Sequence, residues 1–265
     1  MRDDYETIRV AVDDGIVTLT LNRPEKMNAM SPLMLREITE VLDEVAWDEE
    51  MRVLVITGAG AAFSSGMDLD WARRDGPNAS LNGVRAYYEY VIGVQEKLRL
   101  FSRPTIAAVN GWALATGFWL AMLCDCVVVA DDARLGVPQM RHLGHPAGGS
   151  LTAMVHFVPH RFALYHLMTG EDITGKDAER YLMVNKSVPK EQVLDEAYAL
   201  ARRMKQLDPI AARFVKRSYW RAKHLPYSGE TVELEIMEGA QVNTMRAAAG
   251  LGRRDWKEES RRSRD

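Results

Sequence analysis

Short apolar runs that end at glycine and are followed by helical spacing restrict this chain more than any other feature. MRVLVITGAG (51–60) is a compact run ending in glycine, which predicts a buried strand, then a loop and a longer helical segment around Val84 to Leu100. PTIAAVNG (104–111) repeats the arrangement. The segment after it, GFWLAMLCD, is apolar nearly all round, as a helix buried on every side would be. CVVVADDARLG (126–136) predicts a further strand pair, and AMVHFVPHRFALYHLMTG (153–170) returns to helix. Strands that alternate with helices in this way belong to an α/β layered fold.

The amino-terminal part fits the same unit. TIRVAVDDGIVTLTLN (7–22) holds two β-rich stretches broken by Asp13-Asp14-Gly15, a hairpin signal. Ser31 then precedes Pro32 at the first helical position, and Leu35, Ile38, Val41, Leu42 and Val45 follow a helical period. After about Asp208 the character changes. PIAARFVKRSYWRAKH, ETVELEIMEGAQVNTMRAAA and GRRDWKEESRRS read as helix, which divides the chain into a core over 1–207 and a helical region over 208–265. The terminal RRSRD reads as a solvated tail.

Composition removes several classes of function. With 265 residues, 47% of them hydrophobic, the chain can bury one sizeable core. A formal net charge of -3, with no long cationic run before the last dozen residues, gives no electrostatic footprint for nucleic acid. MRDDYETIRV lacks the apolar stretch of a signal peptide, and no uninterrupted apolar run reaches transmembrane length, so a soluble cytoplasmic protein without a membrane partner is expected. Cys124 and Cys126, the two cysteines, are read as structural thiols in a reducing compartment, since two ligands alone define no metal site.

Chemistry is expected at two loops that follow strands. AGAAFSSGMDLD leads through small residues to Gly66-Met67-Asp68, and AAVNGWALATGFWLAMLCD places Gly111 to Gly117 before the buried helix. Small residues let backbone approach a ligand closely, and amides at a helix start are unsatisfied donors at the positive end of its dipole. Two such loops can aim two amides at one carbonyl oxygen, the arrangement of an oxyanion hole. The same spacing also serves as a plain turn.

At these residues the chain resembles the enoyl-CoA hydratase/isomerase (crotonase) superfamily over nearly its whole length. The blocks NRPEKMNAMS (22–31), VLVITGAGAAFSSGMDL (53–69), PTIAAVNGWALATGFWLAMLCD (104–125) and the segment from Pro159 to Gly170 ending in MTG fall in the family's order and spacing. LNRPEK, TGAG and GMDL are as similar to hydroxycinnamoyl-CoA hydratase-lyases as to short-chain enoyl-CoA hydratases. The resemblance implies an α/β spiral of β-β-α repeats, a helical carboxy-terminal region used in trimerisation, and a homotrimer or homohexamer. It implies an acyl-CoA substrate, with no cofactor beyond the coenzyme A carried by that substrate and no metal. The backbone N–H groups of Met67 and Thr116 would form the oxyanion hole. Lys26, Ala29, Ala62, Ser64, Gly66 and Gly117 are the candidate coenzyme A contacts, with Lys26 and Ala29 near the nucleotide and Ala62, Ser64 and Gly66 along the thioester's path.

Departures from the family pattern matter as much. Thr116 stands where the pattern has glycine, so the hole keeps its amide only if φ there is negative. Trp119 and Gln139 occupy the positions where the best-known relatives carry two glutamates, and neither side chain can take a proton from water. His142 and His145, in QMRHLGHP beside Gln139, are the replacements the sequence offers as acid or base. Asp68 and Asp70 follow the first loop, and Asp125 reads as a carboxylate that satisfies backbone. Glu233 and Glu235 lie in the carboxy-terminal region. Tyr87, Tyr88 and Tyr90 fall in a segment, Trp71 to Gly93, without a readable code. Three readings stay open: a crotonase enzyme working through an enolate with a non-standard acid–base set, a crotonase-fold hydrolase that cleaves a β-diketone or the thioester, and a catalytically silent acyl-CoA-binding subunit.

Overall fold

A computed structural model describes residues 4–77, 79–142, 145, 146, 148–225 and 228–251, without the side chains of Met140 and His142. The chain divides into two compact units, Met1–Leu207 and Asp208–Asp265.

The first unit begins with β1 (Ile8–Asp13) and β2 (Ile16–Leu21), paired antiparallel with Asp13 opposite Ile16. That register leaves a two-residue turn, and Asp14 and Gly15 both take positive φ, 46° and 74°, as the hairpin requires. Helix α1 (Pro32–Trp47) starts where the sequence places it. The Ser31 hydroxyl caps the Met34 amide at 3.2 Å, Pro32 sits in the first turn, and Leu35, Ile38, Val41, Leu42 and Val45 are buried. One buried carboxylate escaped the sequence reading. Glu37 on α1 accepts hydrogen bonds from the Glu6 and Thr7 amides and the Thr7 hydroxyl, which ties the segment before β1 to the helix.

Three successive turns of chain then repeat one pattern. β3 (Val53–Gly58) runs into β4 (Ala62–Ser64), then α2 (Leu69–Arg74) and α3 (Leu81–Arg99). β5 (Thr105–Val109) runs into β6 (Trp112–Leu114) and α4 (Thr116–Leu123), in which every residue is buried. β7 (Cys126–Ala130) runs into β8 (Arg134–Gly136), followed by α5 (Gln139–His142), α6 (Ser150–Phe157) and α7 (His160–Thr169). β9 (Ile173–Thr174), α8 (Gly175–Arg180), β10 (Lys186–Val188) and α9 (Val193–Lys205) complete the unit. One sheet has six strands in the order β1-β2-β3-β5-β7-β10, and the other has four in the order β4-β6-β8-β9. Each turn therefore gives one strand to each sheet, which is a spiral. The CVVVADDARLG run is corrected by this topology: β7 and β8 do not pair with each other, because the chain crosses between the sheets at Asp131–Ala133. The 153–170 helix is likewise two helices, broken at Pro159, whose ring cannot continue α6.

Burial explains the apolar runs. β3 is buried from Val53 to Ile56 and β5 from Thr105 to Val109, since sheet residues there meet α9 on one side and the interior of the spiral on the other. Asp125, at the turn into β7, accepts the Thr105 amide and hydroxyl, both at 2.8 Å, and so satisfies backbone as expected. Cys124 and Cys126, on either side of that turn, form no disulfide.

The second unit holds α10 (Pro209–His224) and α11 (Gly229–Ala248). Asp208 caps the Ala211 amide at 2.9 Å, and Glu238 on α11 pairs with Arg221 on α10. GRRDWKEESRRS and the RRSRD tail lie outside the described residues. Among the described residues no helix is long and apolar enough to cross a membrane.

The loop between β2 and α1 is held by Asn28, which is fully buried at φ 54°. Its amide donates to the Ala59 carbonyl at 2.9 Å and the Ala62 carbonyl at 2.7 Å, and its carbonyl accepts the Arg23 amide at 2.8 Å. Asn28→Ala strands these backbone groups away from water and keeps the left-handed backbone. At about 1–3 kcal/mol for each buried group left unpaired, a loss of about 3 kcal/mol or more is expected as a shifted urea midpoint at unchanged slope.

Candidate active site

The two glycine loops meet. Met30 and Met67 form an isolated parallel bridge in which the Met30 amide donates to the Gly66 carbonyl at 2.7 Å and the Asp68 amide donates to the Met30 carbonyl at 3.0 Å. In such a bridge the residue between the bonded groups, Met67, turns its own N–H away from the partner strand. Thr116 is the first residue of α4, where an amide has no carbonyl one turn back. A Cβ placed on Gly66 would lie 2.9 Å from the Leu114 carbonyl oxygen and 3.4 Å from the Thr116 nitrogen, so the two amides are neighbours. Gly66 has φ +101°, which a side chain would disfavour as well.

Thr116 itself is unstrained. The positive φ that the loop requires falls on Ala115, at φ 50° and ψ -114°, and Thr116 enters the helix with an ordinary backbone. A threonine at this position therefore keeps its amide at the positive end of α4 and adds a hydroxyl.

Both loops face a cavity of about 1040 Å³, also lined by Lys26, Ala29, Gln139 and His145. A stripe of α3 closes one wall: Val84, Tyr87, Tyr88, Val91, Ile92 and Gln95, spaced by three and four, lie on one face of the helix. The Trp71–Gly93 segment thus has a code after all, the helical period starting at Leu81.

The candidate residues separate into two groups. Met67, Thr116, Gln139, His145, Lys26 and Ala29 line the cavity. Ala62, Ser64 and Gly117 are buried joints behind it. The Ser64 hydroxyl donates to the Asn28 carbonyl at 2.8 Å and accepts the Gly66 amide at 3.1 Å, and Gly117 lies so close that a Cβ there would be 2.4 Å from the Ser64 carbonyl oxygen. Its lack of a side chain lets α4 approach β4. His142 is on α5, and its side chain lies outside the described residues. Glu233 and Glu235 are exposed on α11 in the second unit.

Charge at the cavity is committed to structure. Asp68 caps α2 by accepting the Asp70 and Trp71 amides and pairs with Arg23 at 2.8 Å. Burial pushes its carboxyl up, but the Trp71 amide and the Arg23 guanidinium outweigh that and hold it below the usual range. Lys26 and Asp70 pair at 2.6 Å in solvent, each stabilising the charged form of its partner. Trp119, at the first position where a glutamate was expected, does not line the cavity. It is 1% exposed, with its indole packed against Gly149 of the loop before α6. Gln139, at the second, is 9% exposed. Its Nε2 donates to the Ser150 hydroxyl at 3.4 Å, and its Oε1 is buried without a hydrogen-bond donor.

Tyr87 is the site residue that the sequence reading undervalued. Its hydroxyl lies 2.9 Å from Thr116 Oγ1, and burial pushes its pKa up despite the Thr116 hydrogen bond. Among the described residues no cluster of three or more His, Cys, Asp or Glu could hold a metal ion.

The enoyl-CoA hydratase/isomerase family model matches residues 11–251. Hydroxycinnamoyl-CoA hydratase-lyase from Pseudomonas fluorescens is 37% identical over 227 residues, 84% of this chain and 81% of the relative. A probable enoyl-CoA hydratase from Mycobacterium bovis is 33% identical over 218 residues, 82% of each chain. The crystal structure of an enoyl-CoA hydratase from Mycobacterium smegmatis superposes with a TM-score of 0.81 at 27% identity, over 95% of this chain and 99% of that one. The spiral with carboxy-terminal helices is thus a crotonase fold.

Ala115 carries the strain of the second loop. Relief of a positive φ is worth about 1–3 kcal/mol and the added freedom of the unfolded chain costs about 0.4–1 kcal/mol, so Ala115→Gly is expected to stabilise by about 1 kcal/mol. The denaturant midpoint should rise with the cavity unchanged.

Proposed function

The chain belongs to the enoyl-CoA hydratase/isomerase family, and from that premise we propose that it binds an acyl-CoA thioester and works through an enolate held at the Met67 and Thr116 amides. The observation that carries this reading is the pair of uncommitted backbone donors, brought together by Gly66 and facing one cavity. When a thioester loses an α-proton, negative charge moves onto its carbonyl oxygen, and fixed donors in a dry cavity stabilise that charge without reorganising.

Proton transfer falls to a non-standard set. Asp68 and Asp70 are tied to Arg23 and Lys26, so neither is a free base at the carbonyl. His145 lines the cavity, and an imidazole can accept a proton and return it. Gln139 cannot take a proton, but its unpartnered Oε1 can accept a hydrogen bond from a water and orient it. Lys26 and Ala29 also line the cavity, where they would meet the coenzyme A.

The test is α-proton exchange. The purified protein in D2O is given a short saturated acyl-CoA, deuterium at the α-carbon is followed by mass spectrometry, and free CoA is followed alongside. Deuterium uptake without CoA release is expected. Gly66→Ala should lower it about 10²- to 10³-fold by prising the donors apart, and His145→Ala about 10²- to 10⁴-fold. CoA release without deuterium uptake overturns the enolate in favour of thioester hydrolysis. Tight acyl-CoA binding with neither event overturns it in favour of a silent binding subunit.

A further inference from the structure

We propose that Tyr87 and Thr116 form a hydroxyl relay that supplies a third hydrogen bond to the thioester oxygen, with Tyr87 donating to Thr116 Oγ1 and the Thr116 hydroxyl donating to the substrate. This rests on the acyl-CoA reading and adds to the two amides a donor set particular to this chain. Both side chains line the cavity, and their oxygens are 2.9 Å apart. Two hydroxyls joined by one hydrogen bond always keep one O–H for a third partner, because only one of the two protons is used between them. A phenol is the stronger donor, so the proton left over belongs to Thr116, next to the amide at the start of α4.

The geometry is fixed from three sides. Tyr87 projects from the middle of α3, in step with Val84 and Val91. Its ring meets Trp71 at 5.9 Å between centroids. On the far side a Cβ on Gly148 would come within 2.4 Å of the phenol oxygen, so that glycine leaves room for the hydroxyl and none to spare. Burial keeps the phenol protonated, as a donor must be. Tyr87 is in this account a positioning residue, and Thr116 is the group that touches substrate.

Exchange of α-protons in D2O is measured for the wild type, Tyr87→Phe, Thr116→Val, Thr116→Ser and the double variant Tyr87→Phe/Thr116→Val, with thermal midpoints recorded in parallel. Valine keeps the backbone amide and the branched shape and removes only the hydroxyl. A hydrogen bond to a charged oxygen predicts a loss of kcat of about ten- to hundred-fold in Thr116→Val, with KM changed less than threefold. Tyr87→Phe should lose less than Thr116→Val, Thr116→Ser should stay near the wild type, and the double variant should be no slower than Thr116→Val alone. Thr116→Val at the wild-type rate, Tyr87→Phe slower than Thr116→Val, or losses that multiply in the double variant would each overturn the relay and leave the acyl-CoA reading standing. A wild type that exchanges no α-proton of any acyl-CoA would overturn that reading and the relay with it.

Discussion

The site depends on the contact of Ser64 with three loops. Its hydroxyl donates to Asn28 of the loop before α1 and accepts the amide of Gly66, and its carbonyl lies against Gly117 at the start of α4. A buried hydroxyl that both donates and accepts cannot shift without leaving a polar group unpaired, at about 1–3 kcal/mol. The placement of the Met67 and Thr116 amides therefore follows from packing behind the cavity, on residues that do not line it. This is the support an oxyanion hole requires, because donors that relax toward the ground state give up their advantage in the transition state.

Much of this was readable in the amino-acid order, and the reasons differ from element to element. Ser31-Pro32 and Asp14-Gly15 are local signals whose geometry is set within a few residues, so α1 and the first hairpin stand where expected. The exchange of strands between two sheets is not local. CVVVADDARLG reads as a strand pair because nothing within it reports that β7 pairs with β5 and β10 while β8 pairs with β6 and β9. Ser64 was assigned to the thioester's path for a similar reason: a small polar residue before Gly66 looks the same whether it faces a ligand or a buried carbonyl. Tyr87 was passed over because an aromatic residue on a helix usually packs, and its partner Thr116 is 29 residues away. The period of three and four from Val84 to Gln95 was the available signal.

Position 119 is given over to packing. α4 is buried along its whole length, and a carboxylate on it needs a polar or wet neighbour to offset desolvation. An indole in the same place fills the space beneath Gly149 and joins α4 to the loop that leads to α6. A side chain of that volume stabilises the interior. Trp119 thereby anchors the helix whose first amide faces the cavity. Gln139 is different: it still lines the cavity, and its unpaired Oε1 retains an acceptor without a proton to give.

Charge stabilisation and proton transfer are separable contributions, and in the proposed reading they fall to different parts of this cavity. An oxyanion donor is worth about 10²–10³ in rate and a positioned general base about 10²–10⁴, so neither alone accounts for an efficient enzyme of this family. Among the described residues the carboxylates that line the cavity, Asp68 and Asp70, are paired with Arg23 and Lys26, and the proposed proton carriers are an imidazole at the rim and hydroxyl groups inside. An imidazole at the rim reaches solvent, which favours exchange of its proton between turnovers, and a buried phenol keeps its proton and can only donate hydrogen bonds. The two therefore divide the work by position. On the proposed reading, proton traffic belongs at the His145 side, and the Tyr87 side, where burial holds the phenol's pKa up, supports the charge that the traffic creates.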